Sequence, residues 1–190
     1  FSHSFVRNGA TTDMSGIYTV TVTSGNGCVN IVSTAVTVYP TPIAAITGSI
    51  AVCEGGAINL MASGGTSYVW SGPNGYTDNS ANLIRNNAAL TMSGTYAVTV
   101  TGAGGCTSTA SVVVNVAPVL ANITGSSGFC TGGDIALTAI GGGTYQWGGP
   151  GGFSSIDESI LISNATGGMS GPYMVTVTNT AGCTATASKS

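Results

Sequence analysis

Met92–Val116, MSGTYAVTVTGAGGCTSTASVVVNV, alternates threonines with tyrosine and valine, breaks at a glycine run ending in Cys106, and then alternates again. Alternation with a period of two marks a half-buried strand, so the stretch predicts two strands joined by a glycine-rich turn. The same unit stands earlier, from Met14-Ser15-Gly16-Ile17-Tyr18 to Gly27-Cys28, and later, from Met169-Ser170-Gly171-Pro172-Tyr173 to Gly182-Cys183. The steps from Cys28 to Cys106 and on to Cys183 are 78 and 77 residues. A fixed period of this size is the signature of a tandem array.

The 190 residues therefore divide into about two and a half modules of roughly 77 residues. Tyr39-Pro40-Thr41-Pro42 and Ala117-Pro118 mark the joints, since proline cannot donate to a strand ladder. The expected domains are 1–39, the back half of a repeat; 40–117, a complete repeat; and 118–190, a repeat without its last strand. Val6–Ala10 matches Ile84–Ala88, and Thr186-Ala187-Ser188 matches Thr109-Ala110-Ser111, so the chain reads as a window on a longer protein. No targeting segment is visible in it.

Charged residues make up 5% of the chain, against about 25% in an average soluble protein. With 43% apolar residues and a net charge of −3 it does not fit the pattern of disorder. Only three residues are Lys or Arg, too few for a nucleic-acid footprint or an anionic membrane surface. No apolar run approaches the ~20 residues of a spanning helix.

Six or seven short strands per module, frequent Gly/Pro turns and no helical periodicity predict an all-β fold: antiparallel β-sandwiches of immunoglobulin type, arranged end to end. Trp70 and Trp147 fall where such a sandwich buries its central tryptophan. Tyr18, Tyr96 and Tyr173, each following Ser-Gly-X, fall where a tyrosine corner sits. Ala62 and Val98 occupy the places of the antibody core disulfide.

The search for chemistry returns little. His3 is the only histidine, and no serine or cysteine recurs beside it, so a nucleophilic triad is not expected. The acids Asp13, Glu54, Asp78, Asp134, Asp157 and Glu158 do not recur between repeats, as a shared calcium site with its 6–8 oxygen ligands would require. Adjacent Asp157 and Glu158 are the one place for a local ion. Gly64-Gly65 and Gly141-Gly142-Gly143 precede strands rather than helices, which argues against a phosphate cradle. Tyr76 and Phe153 follow the turns at Pro73-Asn74 and Pro150-Gly151. They are candidate platforms for a sugar ring, weighed against packing on the sandwich edge, which is favoured. The expectation is a chain without enzymatic activity, metal or cofactor.

Cys53-X-Gly, Leu60-X-Ala, Tyr68-X-Trp70-Ser-Gly-Pro-Asn-Gly, Asn87-Ala88, Ser93-Gly-Thr-Tyr96-X-Val-Thr-Val and Gly105-Cys106-Thr together resemble a known family. They are similar to the immunoglobulin-like and PKD-like repeats of giant cell-surface adhesins in Bacteroidetes, including those of gliding bacteria. The resemblance implies type IX secretion, display outside the cell and service as a stalk or filament segment that spaces a distal binding region from the cell. The implied partners are neighbouring repeats of the same chain, other copies in a filament, and surface polysaccharide or a solid substrate; neither nucleic acid nor membrane insertion is implied. The alternatives are a carbohydrate-binding module or an accessory domain of a secreted hydrolase.

The five cysteines carry one further expectation. Exported β-modules meet an oxidising environment, where disulfides form. Pairing within each repeat, Cys53–Cys106 and Cys130–Cys183, is one possibility. In an immunoglobulin sandwich, however, the strands beside these residues run the same way, which separates the sulfurs by ~30 Å at roughly 3.3 Å per residue. In an end-to-end array the foot of one module meets the head of the next, and a bridge between repeats, Cys53–Cys183, is favoured. Cys28, Cys106 and Cys130 would then have partners outside the chain.

Overall fold

The computed structural model describes residues Ser4–Ser190, which form strands, short 3-10 turns and loops, with no α-helix among the described residues. The chain divides into two compact units. One takes the N-terminal stretch up to Thr47 with Met61–Leu83 and Tyr96–Val112; the other takes Gly48–Leu60, Ile84–Thr95 and Val113–Ser190.

The first stretch holds β1 (Gly16–Thr23) and β2 (Val29–Val36), an antiparallel pair in which Tyr18 faces Thr34, Val20 faces Val32 and Val22 faces Asn30. Ser24-Gly25-Asn26-Gly27 makes the turn, with Gly27 N–H on the Ser24 carbonyl at 2.9 Å and Ser24 N–H on that of Cys28 at 2.8 Å.

Between the two proline joints lie β3 (Ala45–Gly48), β4 (Ala51–Cys53), β5 (Ile58–Ser63), β6 (Ser67–Gly72), β7 (Tyr76–Asp78), β8 (Asn82–Arg85), β9 (Gly94–Thr101) and β10 (Thr107–Ala117). Their order is β3-β5-β8 in one sheet and β4-β10-β9-β6-β7 in another. The first of these strands begins at Ala45, behind an 84% exposed Ile43. Short β4, which the sequence reading does not contain, runs parallel to β10 and matches Asn115 with Ala51, Val116 with Val52 and Ala117 with Cys53.

Residues 118–190 fall whole within the second unit. They form β11 (Asn122–Gly125), β12 (Ile135–Ile140), β13 (Thr144–Gly149), β14 (Phe153–Ser155), β15 (Ser159–Ile162), β16 (Tyr173–Thr178) and β17 (Thr184–Lys189). Sheet β11-β12-β15 faces sheet β14-β13-β16-β17, and both feed one core. Period-two burial builds it: Ile135, Leu137 and Ala139 of β12 point inward, as do Tyr173, Val175 and Val177 of β16. Their neighbours Ala136, Ile140 and Met174 face water. The sandwich solves an elementary problem, because each sheet has one apolar face and only another apolar face covers it.

The central residues repeat this pattern. Ile58, Leu60 and Ala62 of β5, Trp70 of β6, and Tyr96, Val98 and Val100 of β9 are each no more than 4% exposed. Ala62 and Val98 are thus core residues in their own right, small and apolar where an antibody domain places sulfur.

The inward register sets a sharp expectation for residues 118–190. Leu137→Ala should lower unfolding free energy by about 2–5 kcal/mol, a core truncation cost. Ala136→Thr, one residue along and facing water, should change it by less than ~0.5 kcal/mol. Urea denaturation of the two variants checks the register, and equal losses would show it to be wrong.

Candidate functional site

The two tryptophans clamp equivalent turns. Trp70 donates its indole N–H to the Ser80 carbonyl at 2.9 Å, and Trp147 donates to the Asp157 carbonyl at 2.8 Å, each ten residues downstream. Buried indoles need such a partner. The turns are locked by a carboxylate and a hydroxyl. Asp78 accepts from the Ser80 backbone N–H at 2.6 Å and from its hydroxyl. In the later turn the Ser155 hydroxyl donates to Asp157 at 2.9 Å and accepts the Asp157 N–H at 3.1 Å. Acid and hydroxyl have exchanged places, so a position-by-position comparison that sets Asp78 against Ser155 misses a shared device.

The tyrosines make corners. Tyr18 donates to the Met14 carbonyl at 2.9 Å and Tyr173 to the Met169 carbonyl at 3.0 Å, which accounts for the Met-Ser-Gly-X-Tyr spacing. Burial pushes the Tyr173 phenol above its ordinary range. Gly72 and Gly149 lie so close to the Tyr96 and Tyr173 rings that an added Cβ would sit 2.8 and 2.6 Å from ring carbons.

Tyr76 and Phe153, the candidate platforms, are half-buried and pack edge-on against these corners. Their ring centroids lie 6.5 Å from Tyr96 and 5.8 Å from Tyr173. The Tyr76 hydroxyl also donates to Asp78 at 3.1 Å. Pro73 precedes Asn74, whose φ of 61° is left-handed, and glycine takes that place after Pro150, at Gly151. An open groove beside Pro150 is lined by Gly148, Gly149, Gly171, Pro172 and Met174.

The second proline joint carries the covalent feature of the chain. Cys53, at the end of β4, stands opposite Ala117, and the next residue, Glu54, donates its N–H to the Ala117 carbonyl at 2.9 Å. Past the joint, the Pro118 carbonyl accepts the Asn179 side-chain amide at 2.9 Å. The Asn179 side-chain oxygen accepts the N–H groups of Ala181 and Cys183 at 2.9 and 3.0 Å. Both cysteines are thereby held beside the same two linker residues, and they are bonded, with Cα atoms 5.5 Å apart. The within-repeat pairs do not form: Cys28, Cys106 and Cys130 are free thiols. Asn179 went unnoticed in the sequence because its counterparts are Ser24 and Gly102. Its signal was the Asn-X-Ala-Gly-Cys spacing, a turn that asparagine closes with its own side chain.

Cys53-Glu54-Gly55-Gly56 and Cys130-Thr131-Gly132-Gly133 are built alike. Gly55 N–H bonds the Ala88 carbonyl and Ala88 N–H the Gly56 carbonyl; Gly132, Ala165 and Gly133 repeat both bonds, all four at 2.8 Å. Gly55 and Gly132 have φ of 79° and 85°, which explains the glycine two residues after each cysteine.

Among the described residues no three His, Cys, Asp or Glu side chains converge on one point. His3 lies outside the described residues. No described helix is long and apolar enough to cross a membrane.

No family model matches the chain, and no curated protein does. Among solved structures it is similar to an amphioxus IgVJ-C2 molecule, at 19% identity over 73% of this chain and 97% of that one, with a TM-score of 0.40. It is similar to murine CEACAM1b, at 14% identity over 72% of this chain and 93% of that one, with a TM-score of 0.42. A structure of the four N-terminal Ig domains of a Dscam1 isoform is 20% identical over 86% of this chain and 50% of that one, with a TM-score of 0.39. Superpositions this loose carry no functional argument, and the fold rests on the strand topology described above.

Two outcomes test the site. Cys183→Ser, or reduction of the native chain, should lower stability by about 2–5 kcal/mol, followed as a fall in melting temperature. The hydrogen bonds from Ser80 hold the Asp78 carboxyl below its ordinary value. A lowered folded-state pKa stabilises the fold above the ordinary carboxylate value, and that contribution disappears as pH falls through the folded-state value. Asp78→Asn should therefore melt below the native chain at about pH 7, with the gap closing towards about pH 2. A gap independent of pH would refute the role given to the ionised carboxylate.

Proposed function

We propose that the chain is a non-enzymatic spacer: a run of immunoglobulin-like modules of about 77 residues, with boundaries near 39/40 and 117/118, in the stalk of a secreted cell-surface adhesin. The observation that carries this reading is the Cys53–Cys183 bond beside the Ala117-Pro118 joint. A bond across a linker restrains the bending of neighbouring modules and puts a covalent limit on extension. Catalysis and small-ligand binding gain nothing from it. Its persistence requires an oxidising compartment, which supports an extracellular location. The Bacteroidetes adhesin resemblance supplies the setting, with type IX export and surface or gliding adhesion. Neighbouring repeats are the direct partners. A second reading, direct contact with surface polysaccharide, draws on the groove beside Pro150 and the nearby Phe153 ring.

Single-molecule extension separates these readings. The segment closed by the bonded cysteines, which stand 130 positions apart, should stay short under load and, after reduction, add roughly 3.3–3.6 Å per residue, in discrete unfolding steps. Smooth extension at negligible force, unchanged by reduction, would rule out the spacer role. Retention on a glycan array that is abolished by Phe153→Ala would favour the second reading.

A further inference from the structure

The two proline joints differ by one residue. Each begins at a fixed point, where Ser15 Oγ accepts the Val38 N–H and Ser93 Oγ accepts the Val116 N–H, both at 2.9 Å. Each ends where a carbonyl presses on a glycine. A Cβ added at Gly64 would sit 1.8 Å from the Ile43 oxygen, and one added at Gly141 would sit 2.1 Å from the Leu120 oxygen. Four residues, 39–42, lie between these points in the first joint, and three, 117–119, in the second. That one residue is the whole difference between the 78-residue step from Cys28 to Cys106 and the 77-residue step on to Cys183.

The turns beside the two linkers share one frame. Gly102 N–H bonds the Cys106 carbonyl at 2.8 Å, as Asn179 N–H bonds that of Cys183 at 2.9 Å, and Gly105 and Gly182 close back on Gly102 and Asn179. Their side chains differ. Ala181 carries a methyl group where Gly104, left-handed at φ 70°, has none. The Tyr39 ring fills that place, since a Cβ added at Gly104 would sit 2.1 Å from its Cδ2. Pro42 lies over Gly102, 3.2 Å from an added Cβ, and Ala44 N–H reaches Ser108 Oγ at 3.1 Å. The second joint has no such ring, because Ala117 stands where Tyr39 does. It is tied instead by the Asn179 amide on the Pro118 carbonyl, which glycine at position 102 cannot offer.

We propose that Tyr39 is the positioning residue of the first joint. Its ring, seated on Gly104, holds the four-residue linker, the task that the Asn179 amide performs for the three-residue one. Turn and linker are therefore matched pairs that cannot be exchanged singly. A methyl group at position 104 and the Tyr39 ring exclude each other, because carbon atoms pack at roughly 3.5–4.0 Å. The seated ring also accounts for glycine at 104, which the turn frame does not itself require, since Ala181 serves in the other turn. The purpose given to the joint rests on the spacer reading, whereas the contact and its test involve no load.

The test follows amide hydrogen exchange in the full chain. Two prolines leave the linker few amides, so Ala44, bonded to Ser108, reports on its seating. Tyr39→Ala should speed exchange at Ala44 by more than about tenfold while Trp70 and Leu137, in the module cores, stay as they are. Tyr39→Phe, which keeps the ring, should match the native chain. Gly104→Ala should speed Ala44 as strongly in the native chain, but add less than about threefold once Tyr39→Ala is present. Backbone strain at φ 70° is common to both backgrounds, so the difference isolates the ring contact. Unchanged exchange at Ala44 in Tyr39→Ala, equal acceleration at Ala44, Trp70 and Leu137, or the same effect of Gly104→Ala in both backgrounds would overturn the proposal. If Gly104→Ala does not refold, the two Tyr39 variants decide. Failure here leaves the spacer reading standing, because extension of the native chain under load is measured independently.

Discussion

An apolar face spaced every second residue must be covered, and nearly everything in this chain follows from that constraint. With 5% charged residues, the outward face is left to threonine, serine and alanine together with exposed apolar side chains such as Val69, Leu161 and Met174, and the inward one to valine, isoleucine and the aromatic anchors. Where a second sheet supplies the cover, as over β16, the inward residues are lost to water almost completely. Hydrogen bonding shapes the strands, but burial decides which of them belong to a core.

The polar groups that enter these cores are each spoken for. Indole N–H groups reach the carbonyls of Ser80 and Asp157, and the phenols of Tyr18 and Tyr173 reach methionine carbonyls four residues upstream. A buried donor without an acceptor costs more than most single contacts contribute, so these bonds explain motifs that hydropathy alone would not. They also explain a substitution pattern that looks unrelated on paper. Asp78–Ser80 and Ser155–Asp157 are one carboxylate–hydroxyl lock written in opposite orders.

Small modules need reinforcement, since a domain of this length buries a modest core. Here the reinforcement lies at a joint. Ala117 is held by Glu54, Pro118 by Asn179, and the disulfide lies over both. The disulfide joins Cys53 to a buried Cys183, while Ala62 and Val98 pack as ordinary apolar residues.

The period of 77 to 78 residues, the strand alternation, and the tryptophan and tyrosine positions were all legible in the linear chain, because they depend on spacing between near neighbours. So was the scarcity of charge. Other features were not legible. The three-residue strand β4 has no pattern of its own and exists only because β10 offers it a parallel edge. Strand direction favoured the Cys53–Cys183 bridge in the sequence but left pairing within each repeat as an alternative. The choice closed only when β4 set Cys53 against Ala117 and Asn179 tied the Cys183 turn to Pro118. Local spacing determines which residues form strands. Which sulfur meets which, and which apolar face is covered, depends on contacts between residues far apart in the chain, and those only the tertiary structure decides.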